Sequence, residues 1–452
     1  MLSDKFRRQL RQEADKWRTE GLIDDYLYEQ LCDRYQFSDL ETVARNRFIV
    51  ILLGLGSVLL GLGVITFVAA NWQTWSREFK VILLLSLFVG VNTAGFYLWR
   101  RPAERWQRRL GQALLLLGAL VLGANMALMS QIFHQSGRLY QLYLLWGLGV
   151  LAMAYSLRLT LLGVLAILLI LLGYVQGLPE AEAIGEFSWL RLMVQHMPVL
   201  AGLMFIPLAY WCRSRWIFRL GAIAIVVSLE ANLMQLNLLG STAWTAAIAC
   251  ALPPALLWAY NDFPWIERFS GYESFRRTAR SLAITFLSLL FYICSFYGLW
   301  NTSSVSSGED ASPLFSPSSV DILILGVLTL WEWLRLLRRV DRTTILIAGA
   351  IATSAIIPFW HLGIEQLPVR ATIIFNLLLL LLAVGLIRKG LAQGQRRLFW
   401  GGMVLITLQI FSRMLEYDTD LLFKSLVLFL CGLGGIAGGL WFERRVRTRA
   451  RV

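Results

Sequence analysis

Charged residues are scarce in this chain, and their scarcity excludes an ordinary soluble globular protein. Only 16% of the 452 residues are charged, whereas 57% are hydrophobic. Soluble globular domains carry about a quarter charged residues. The apolar residues are grouped in blocks of about twenty, which is the length that crosses a bilayer as a helix. The composition therefore predicts a polytopic membrane protein, whose first partner is the lipid bilayer.

Cysteine and histidine are also scarce, and the motifs of common catalytic sites are missing. The five cysteines form no CxxC pair, and His134, His196 and His361 form no HxH or HxxxH pair. A disulfide framework or a metal site is therefore not expected. The sequence contains no GxSxG, Walker-type or HExxH motif. We predict no metal and no cofactor. A membrane-embedded enzyme is the third functional hypothesis, after a transporter and a membrane scaffold or sensor.

Basic residues are plentiful, and their distribution predicts the topology. The net charge of +13 would suggest nucleic-acid binding in a soluble protein. In a membrane protein, Lys and Arg instead mark cytoplasmic loops, so we expect no nucleic-acid partner. With a cytoplasmic N-terminus, 35 of the 42 basic residues fall inside and seven outside. This bias predicts that both termini are cytoplasmic and that the chain crosses the membrane fourteen times, at 47–70, 79–99, 110–133, 139–156, 159–177, 196–212, 216–238, 241–260, 280–300, 320–337, 342–361, 370–388, 397–415 and 421–442.

The sequence divides into three parts: residues 1–45, a helix bundle at 46–443 and a basic cytoplasmic tail at 444–452. The first part predicts a small cytoplasmic hairpin of two helices. Gly21 suits the left-handed position that ends the first helix, and Asp24 can cap the second. The hairpin has two interpretations. It either lies on the membrane surface or the bundle, or it binds a protein partner.

A polar stretch interrupts one apolar block. Glu230 lies about 16 Å along its predicted helix from Arg219, which places it near the midplane of the bilayer. A bare carboxylate there is costly, so we expect Glu230 to be protonated, paired or facing water. The neighbouring polar residues are Asn232, Gln235 and Asn237. This candidate intramembrane site either supplies hydrogen bonds between helices or forms a proton or substrate site.

A second cluster of charges lies at the predicted external end of the thirteenth span. Arg413 and Glu416 are three residues apart, which is the spacing of an ion pair on one helix face. Asp418 and Asp420 follow in the loop. This candidate external charged cluster is either a solvated turn fixed by an ion pair or part of a functional site.

Three stretches of the sequence carry a resemblance to a known family. They are "WRTEGLIDDYLYEQL", "GQALLLLGALVLGANMALMSQIFHQSG" and "RRLFWGGMVLITLQIFSRMLEYDTDLLFKSLVLFLCGLGGIAGGLWFERR". Together they resemble the bacterial membrane-protein family called domain of unknown function 2157. The resemblance implies a protein of the bacterial inner membrane. It implies no activity and no functional residues.

These observations predict an all-α integral membrane bundle of about fourteen helices with a small N-terminal hairpin. The first functional hypothesis is a transporter or flippase-like protein with a polar path between helices. The alternative is a membrane scaffold or sensor that acts through the N-terminal hairpin. An observation that discriminates between them is whether Glu230 faces a cavity or a packed helix interface.

Overall fold

The computed structural model describes most of the chain, namely residues 4–35, 70, 74–102, 104–134, 137–180, 188–234, 242–262, 274–301, 317–337, 341–416 and 420–449. The first predicted span lies outside these residues except for its last position. So do three candidate site residues: Gln235, Asn237 and Asp418. All regular structure in the described part is helical, without a strand. The predicted all-α class is confirmed.

The described helices follow the apolar blocks of the sequence closely. They are α1 (Asp4–Thr19), α2 (Asp25–Tyr35), α3 (Arg77–Arg100), α4 (Arg105–Ile132), α5 (Leu139–Leu157), α6 (Thr160–Gly177), α7 (Trp189–Gln195), α8 (Met197–Trp211), α9 (Arg215–Met234), α10 (Thr242–Ala259), α11 (Arg276–Cys294), α12 (Tyr297–Trp300), α13 (Pro317–Leu337), α14 (Arg342–Gly363), α15 (Pro368–Gln393), α16 (Arg396–Glu416) and α17 (Leu421–Arg449). A short 3₁₀ turn, Leu178–Glu180, follows α6.

The predicted number of fourteen spans is not confirmed. Ten helices of the described part are long and apolar enough to cross a membrane, or eleven if the bent pair α7 and α8 forms one span. Helix α13 carries three charged residues, Asp321, Glu332 and Arg335, and does not qualify. Helix α17 has only a short apolar part, Lys424–Leu440. The described parts of these two helices therefore add no candidate span by length and composition.

The chain divides into two units, Met1–Ser86 and Leu87–Val452. In the first unit, Gly21 lies two residues after the end of α1 with a left-handed φ of 71°, and Asp24 accepts a hydrogen bond from the backbone N–H of Leu27. The side chains of the two helices pack around the buried Ala14. The hydroxyl of Tyr28 donates to Asp15, and this bond raises the pKa of Tyr28 to about 12. The proposed domain limits at 45 and 443 stay predictions.

In the second unit, glycines allow helices to approach closely. A Cβ atom at Gly390 on α15 would lie 2.5 Å from the backbone nitrogen of Phe399 on α16. A Cβ atom at Gly111 on α4 would lie equally close to the backbone nitrogen of Trp99 on α3. Small residues of this kind let membrane helices pack backbone to backbone. The two helix pairs are therefore held at short separations.

Aromatic side chains with polar tips connect helices elsewhere in this unit. The indole N–H of Trp146 on α5 donates to the carbonyl of Ala119 on α4 at 2.7 Å. The hydroxyl of Tyr155 donates to the carbonyl of Met204 on α8, also at 2.7 Å. Buried Tyr and Trp need such partners because their polar atoms lose water. These bonds fix α4, α5 and α8 against one another.

Asp262 connects the two ends of the segment between α10 and α11. Its carboxylate accepts hydrogen bonds from the backbone N–H groups of Phe275, at 3.0 Å, and Arg276, at 3.4 Å. The hydroxyls of Tyr210 and Ser274 also donate to it. The side chain is almost fully buried. A carboxylate at a helix N-terminus satisfies free N–H groups, so Asp262 has a structural role at the start of α11.

Candidate functional site: the helix break at His196

The chain bends by 87° between α7 and α8, and His196 occupies the break. Pro198 follows within the first turn of α8. Proline has no N–H to continue the helical hydrogen bonding, so a break just before it costs little. The backbone carbonyl of Gln195 lies at the end of α7, directly before the break. That carbonyl accepts a hydrogen bond from the side-chain amide of Asn232 on α9, at 2.9 Å.

Asn232 joins the break to a third helix. The hydroxyl of Tyr174 on α6 donates to Oδ1 of Asn232 at 2.7 Å and lies 3.0 Å from the carbonyl oxygen of Ser228. Tyr174, Ser228 and Asn232 are all buried. The side-chain amide of Asn232 on α9 therefore accepts a hydrogen bond from α6 through its oxygen and donates one to α7 through its nitrogen. These bonds give Asn232 a structural role between the three helices.

A buried acid faces His196 from α13. Nδ1 of His196 lies 2.8 Å from Oδ1 of Asp321, whose side chain is only 2% exposed. The His196 side chain is 27% exposed. The second oxygen of Asp321 has no hydrogen-bond partner among the described residues. The pair thus retains an open acceptor beside the imidazole of His196.

Asp321 was missed by the sequence interpretation because it lies at the start of the predicted span 320–337. An acid at a span end is normally solvated. The available signal was the position of Asp321 directly before the apolar run "ILILGVL". That signal does not reveal a partner. His196 and Asp321 are 125 residues apart, and only packing brings them together.

Glu230 lies on α9, two residues before Asn232. Its Oε1 atom is buried and has no hydrogen-bond partner among the described residues. The Asn376 amide on α15 has other partners: it donates to the carbonyl of Ser295 at 3.1 Å and accepts from Gln409. Glu230 is therefore neither paired with Asn376 nor directed wholly into lipid. An unpaired buried acceptor is expensive unless it is protonated or binds something.

Three of the four residues of the candidate external charged cluster lie in the described part of the chain. Arg413 and Glu416 form an ion pair, and their side chains are only 18% and 16% exposed. Arg413 donates to the carbonyl of Ser295 at 2.6 Å, and Glu416 accepts from the backbone N–H of Tyr297 at 2.6 Å. The pair thus holds the turn between α11 and α12. Of the loop acids, Asp420 is exposed and does not join this arrangement.

The three histidines have separate environments. His134 is exposed, whereas Nδ1 of His361 accepts a hydrogen bond from the backbone N–H of Leu367 at 2.8 Å. In the described part of the chain, no group of three or more His, Cys, Asp or Glu side chains has the arrangement of a metal site. The chemistry of the His196 break is therefore that of an acid–imidazole pair with amide and hydroxyl neighbours.

The long apolar helices and their surfaces define the class of the protein. Their exposed side chains include large apolar ones such as Leu346, Leu203 and Ile82. Water does not tolerate so many exposed apolar groups on adjacent helices, whereas lipid does. The chain is a polytopic helical membrane protein.

Comparison with known proteins supports this class. Residues 15–163 match the family described as predicted membrane protein (DUF2157). The resemblance expected from the sequence is confirmed over that region, which is about a third of the chain. The C-terminal stretch 396–445, which also suggested the family, lies outside the match. No curated protein and no solved structure matches the chain.

Proposed function

We propose that this protein is a transporter that moves protons or a small cation along a polar path between its helices. The observation that carries the proposal is the contact of the partly exposed His196 with the buried Asp321 at an 87° helix break. Many transporters place their sites where a membrane helix is interrupted. Ionisable side chains within a membrane are costly and usually serve an ion or proton pathway.

Glu230 extends the proposed path along α9. It lies only two residues before Asn232, a rise of about 3 Å along the helix. Asn232 in turn bonds to the carbonyl of Gln195 at the break. The buried Oε1 of Glu230 has no hydrogen-bond partner among the described residues. We infer that this carboxyl group carries the proton or cation, because no described hydrogen-bond partner competes for Oε1.

The proposal is tested with purified full-length protein in liposomes that contain a pH-sensitive dye. An imposed pH gradient should collapse faster with the wild-type protein than in protein-free liposomes. Glu230→Gln keeps the shape and most hydrogen bonds but cannot ionise, so it should slow the collapse to the background rate. Glu365→Gln is the matched control because Glu365 is exposed and lies between α14 and α15.

The possible results separate transport from a structural role. Equal rates for wild type and Glu230→Gln would reject a proton-carrying role for Glu230. No difference between wild type and empty liposomes would reject proton movement altogether. If Glu230 only holds helices together, Glu230→Gln should preserve thermal stability while Glu230→Leu lowers it.

The alternative function is a scaffold or sensor that acts through the N-terminal hairpin. The specific observation is that α1 and α2 pack on each other yet leave Leu22 68% and Tyr26 70% exposed. Exposed apolar groups on a small unit favour contact with a partner or a lipid surface. Deletion of residues 1–40 should leave a membrane-inserted chain. The scaffold function requires that deletion to abolish the cellular phenotype while proton flux persists.

The proposed location is the bacterial inner membrane with both termini in the cytoplasm. The family resemblance and the uneven distribution of Lys and Arg support it. Labelling of introduced cysteines with an impermeant thiol reagent tests the orientation.

A further inference from the structure

A cleft lies where four helices of the second unit end. Two adjoining cavities, of about 570 and 560 Å³, share the residues Trp99, Arg108, Ser156 and Leu157. They lie between the end of α3, the start of α4, and the turn that joins α5 to α6. We call these two cavities together the α3–α6 cleft. A volume of this size is typical of a site for a small molecule or a lipid headgroup.

The cleft is basic. Arg100, Arg108 and Arg158 line it, and its described lining residues include no acid. None of the three arginines forms an ion pair with an acidic side chain of the described chain. Arg158 is held over the ring of Trp211, 4.0 Å from its centroid. Arg158 lines the first cavity, Arg100 the second and Arg108 both, and guanidinium groups without acidic partners around one cleft favour an anion.

The backbone at Arg158 is unusual for a residue with a side chain. Its φ of 54° and ψ of 37° place it in the left-handed region, at the end of α5. Glycine usually occupies such a position because a Cβ atom costs roughly 1–2 kcal/mol there. The chain nevertheless has an arginine at this point, where its side chain lines the cleft. Strained residues of this kind are concentrated at binding sites.

Two further donors line the same cleft. The indole nitrogen of Trp99 is buried and has no hydrogen-bond partner in the described part of the protein. The first turn of α6 also lines the cleft, from Thr160 to Leu162, and no side chain caps this helix. Free N–H groups at a helix N-terminus bind phosphate well. An occupant with acceptor oxygens would satisfy both kinds of donor.

The remaining lining is apolar and indicates the kind of anion. Phe96, Leu159 and Leu161 line the cleft beside the arginines, and Phe96 and Leu161 are exposed. A free inorganic ion gains nothing from such a surface, whereas acyl chains do. Basic pockets between membrane helices are suited to anionic lipid headgroups. We propose that the α3–α6 cleft binds an anionic phospholipid, with its phosphate at Arg100, Arg108 and Arg158 and its chains along Phe96 and Leu161.

The test uses the purified full-length protein in mild detergent with added phosphatidylglycerol. Native mass spectrometry counts the lipid that stays bound, and thermal unfolding measures the stabilisation by that lipid. Each arginine near a lipid phosphate contributes about a fivefold change in affinity. Arg108→Gln and Arg158→Gln should each weaken binding by about that factor. Arg388→Gln is the matched control, because Arg388 is exposed on α15 and outside the cleft.

Further variants and ligands keep the proposal falsifiable. Trp99→Phe removes the indole N–H while it retains an aromatic ring, and it should weaken binding without a change in lipid-free stability. If the Arg158→Gln protein does not fold, the Arg108→Gln protein provides the test, because Arg108 is exposed and its replacement should not disturb folding. Phosphatidylcholine, which lacks a net charge, should bind more weakly than phosphatidylglycerol in the wild-type protein.

Three results would overturn the proposal. Equal phosphatidylglycerol binding by the wild type, the cleft variants and the Arg388 control would show that the cleft is not the site. Equal binding of phosphatidylglycerol and phosphatidylcholine would show that the cleft does not recognise the negative charge of the lipid. Inorganic phosphate that stabilises the protein as much as phosphatidylglycerol, and loses this effect in the same variants, would identify a soluble phosphate as the occupant and reject the lipid.

Discussion

Nδ1 of His196 lies 2.8 Å from Oδ1 of Asp321, although 125 residues separate them in the chain. His196 occupies the break between α7 and α8, and Asp321 lies near the start of α13. The pair therefore fixes an interrupted helix to a distant one. A break in a helix exposes backbone groups that must find partners within a bilayer. The Asn232 bond to Gln195 satisfies one of them.

The first prediction concerns the energy of this pair. Asp321→Ala and His196→Ala should each destabilise the protein by about 1–2 kcal/mol, as expected for polar contacts between membrane helices. The double variant should lose less than the sum of the two, because each single change already removes the contact. Denaturant unfolding in detergent measures all three. Asp420→Ala is the control, since Asp420 is exposed. Strictly additive losses would show that the pair has no coupling.

The second prediction concerns Arg413. The guanidinium group of Arg413 donates to the Ser295 carbonyl and lies over the Phe296 ring, 4.5 Å from its centroid. Arg413→Lys keeps the positive charge but removes the planar guanidinium group that makes both contacts. We expect a loss of about 1 kcal/mol in thermal or denaturant stability. Arg370→Lys is the matched control because Arg370 is exposed. Equal effects of the two substitutions would mean that the Arg413 contacts add nothing.

The third prediction concerns two glycines on α15. Gly390→Ala should destabilise the protein by about 1–3 kcal/mol, because the new Cβ atom meets the Phe399 backbone, which cannot move aside easily. Gly385→Ala places a Cβ atom where no described atom lies within 4 Å. It should be neutral or slightly stabilising. Thermal unfolding of the two variants in the same detergent checks the difference, and a neutral Gly390→Ala would contradict the close packing of α15 on α16.

The fourth prediction concerns orientation. Glu365 and Gln395 are exposed at opposite ends of α15. In a variant without the five native cysteines, cysteine at position 365 should react with an impermeant thiol reagent from outside the cell. Cysteine at position 395 should react only after the membrane is opened, because the basic residues nearby predict a cytoplasmic location. Labelling of both positions from the same side would mean that α15 does not cross the membrane.

The sequence could predict those features of the fold that depend on neighbouring residues. The apolar blocks predicted helices, and each predicted span that lies in the described part coincides with a helix or a bent helix pair. Gly21 follows the end of α1 in a left-handed conformation and Asp24 caps α2, as their conformational preferences indicate. The spacing of Arg413 and Glu416 placed them on one helix face. The candidate site was only partly predicted: Asn232 was named, whereas Asp321 was not.

The sequence by itself determined that this chain forms apolar helices, because hydrophobicity and helical periodicity are local properties of the residues. Tertiary structure alone decided what the polar residues do. In the folded chain, Asp321 contacts His196 and Asp262 is buried at the start of α11. The Arg413–Glu416 pair binds the turn at Ser295. It also left Oε1 of Glu230 without a partner in the described part of the chain. The physical reason is that a polar group within a bilayer must find its partners inside the protein, and those partners come from helices that are distant in sequence.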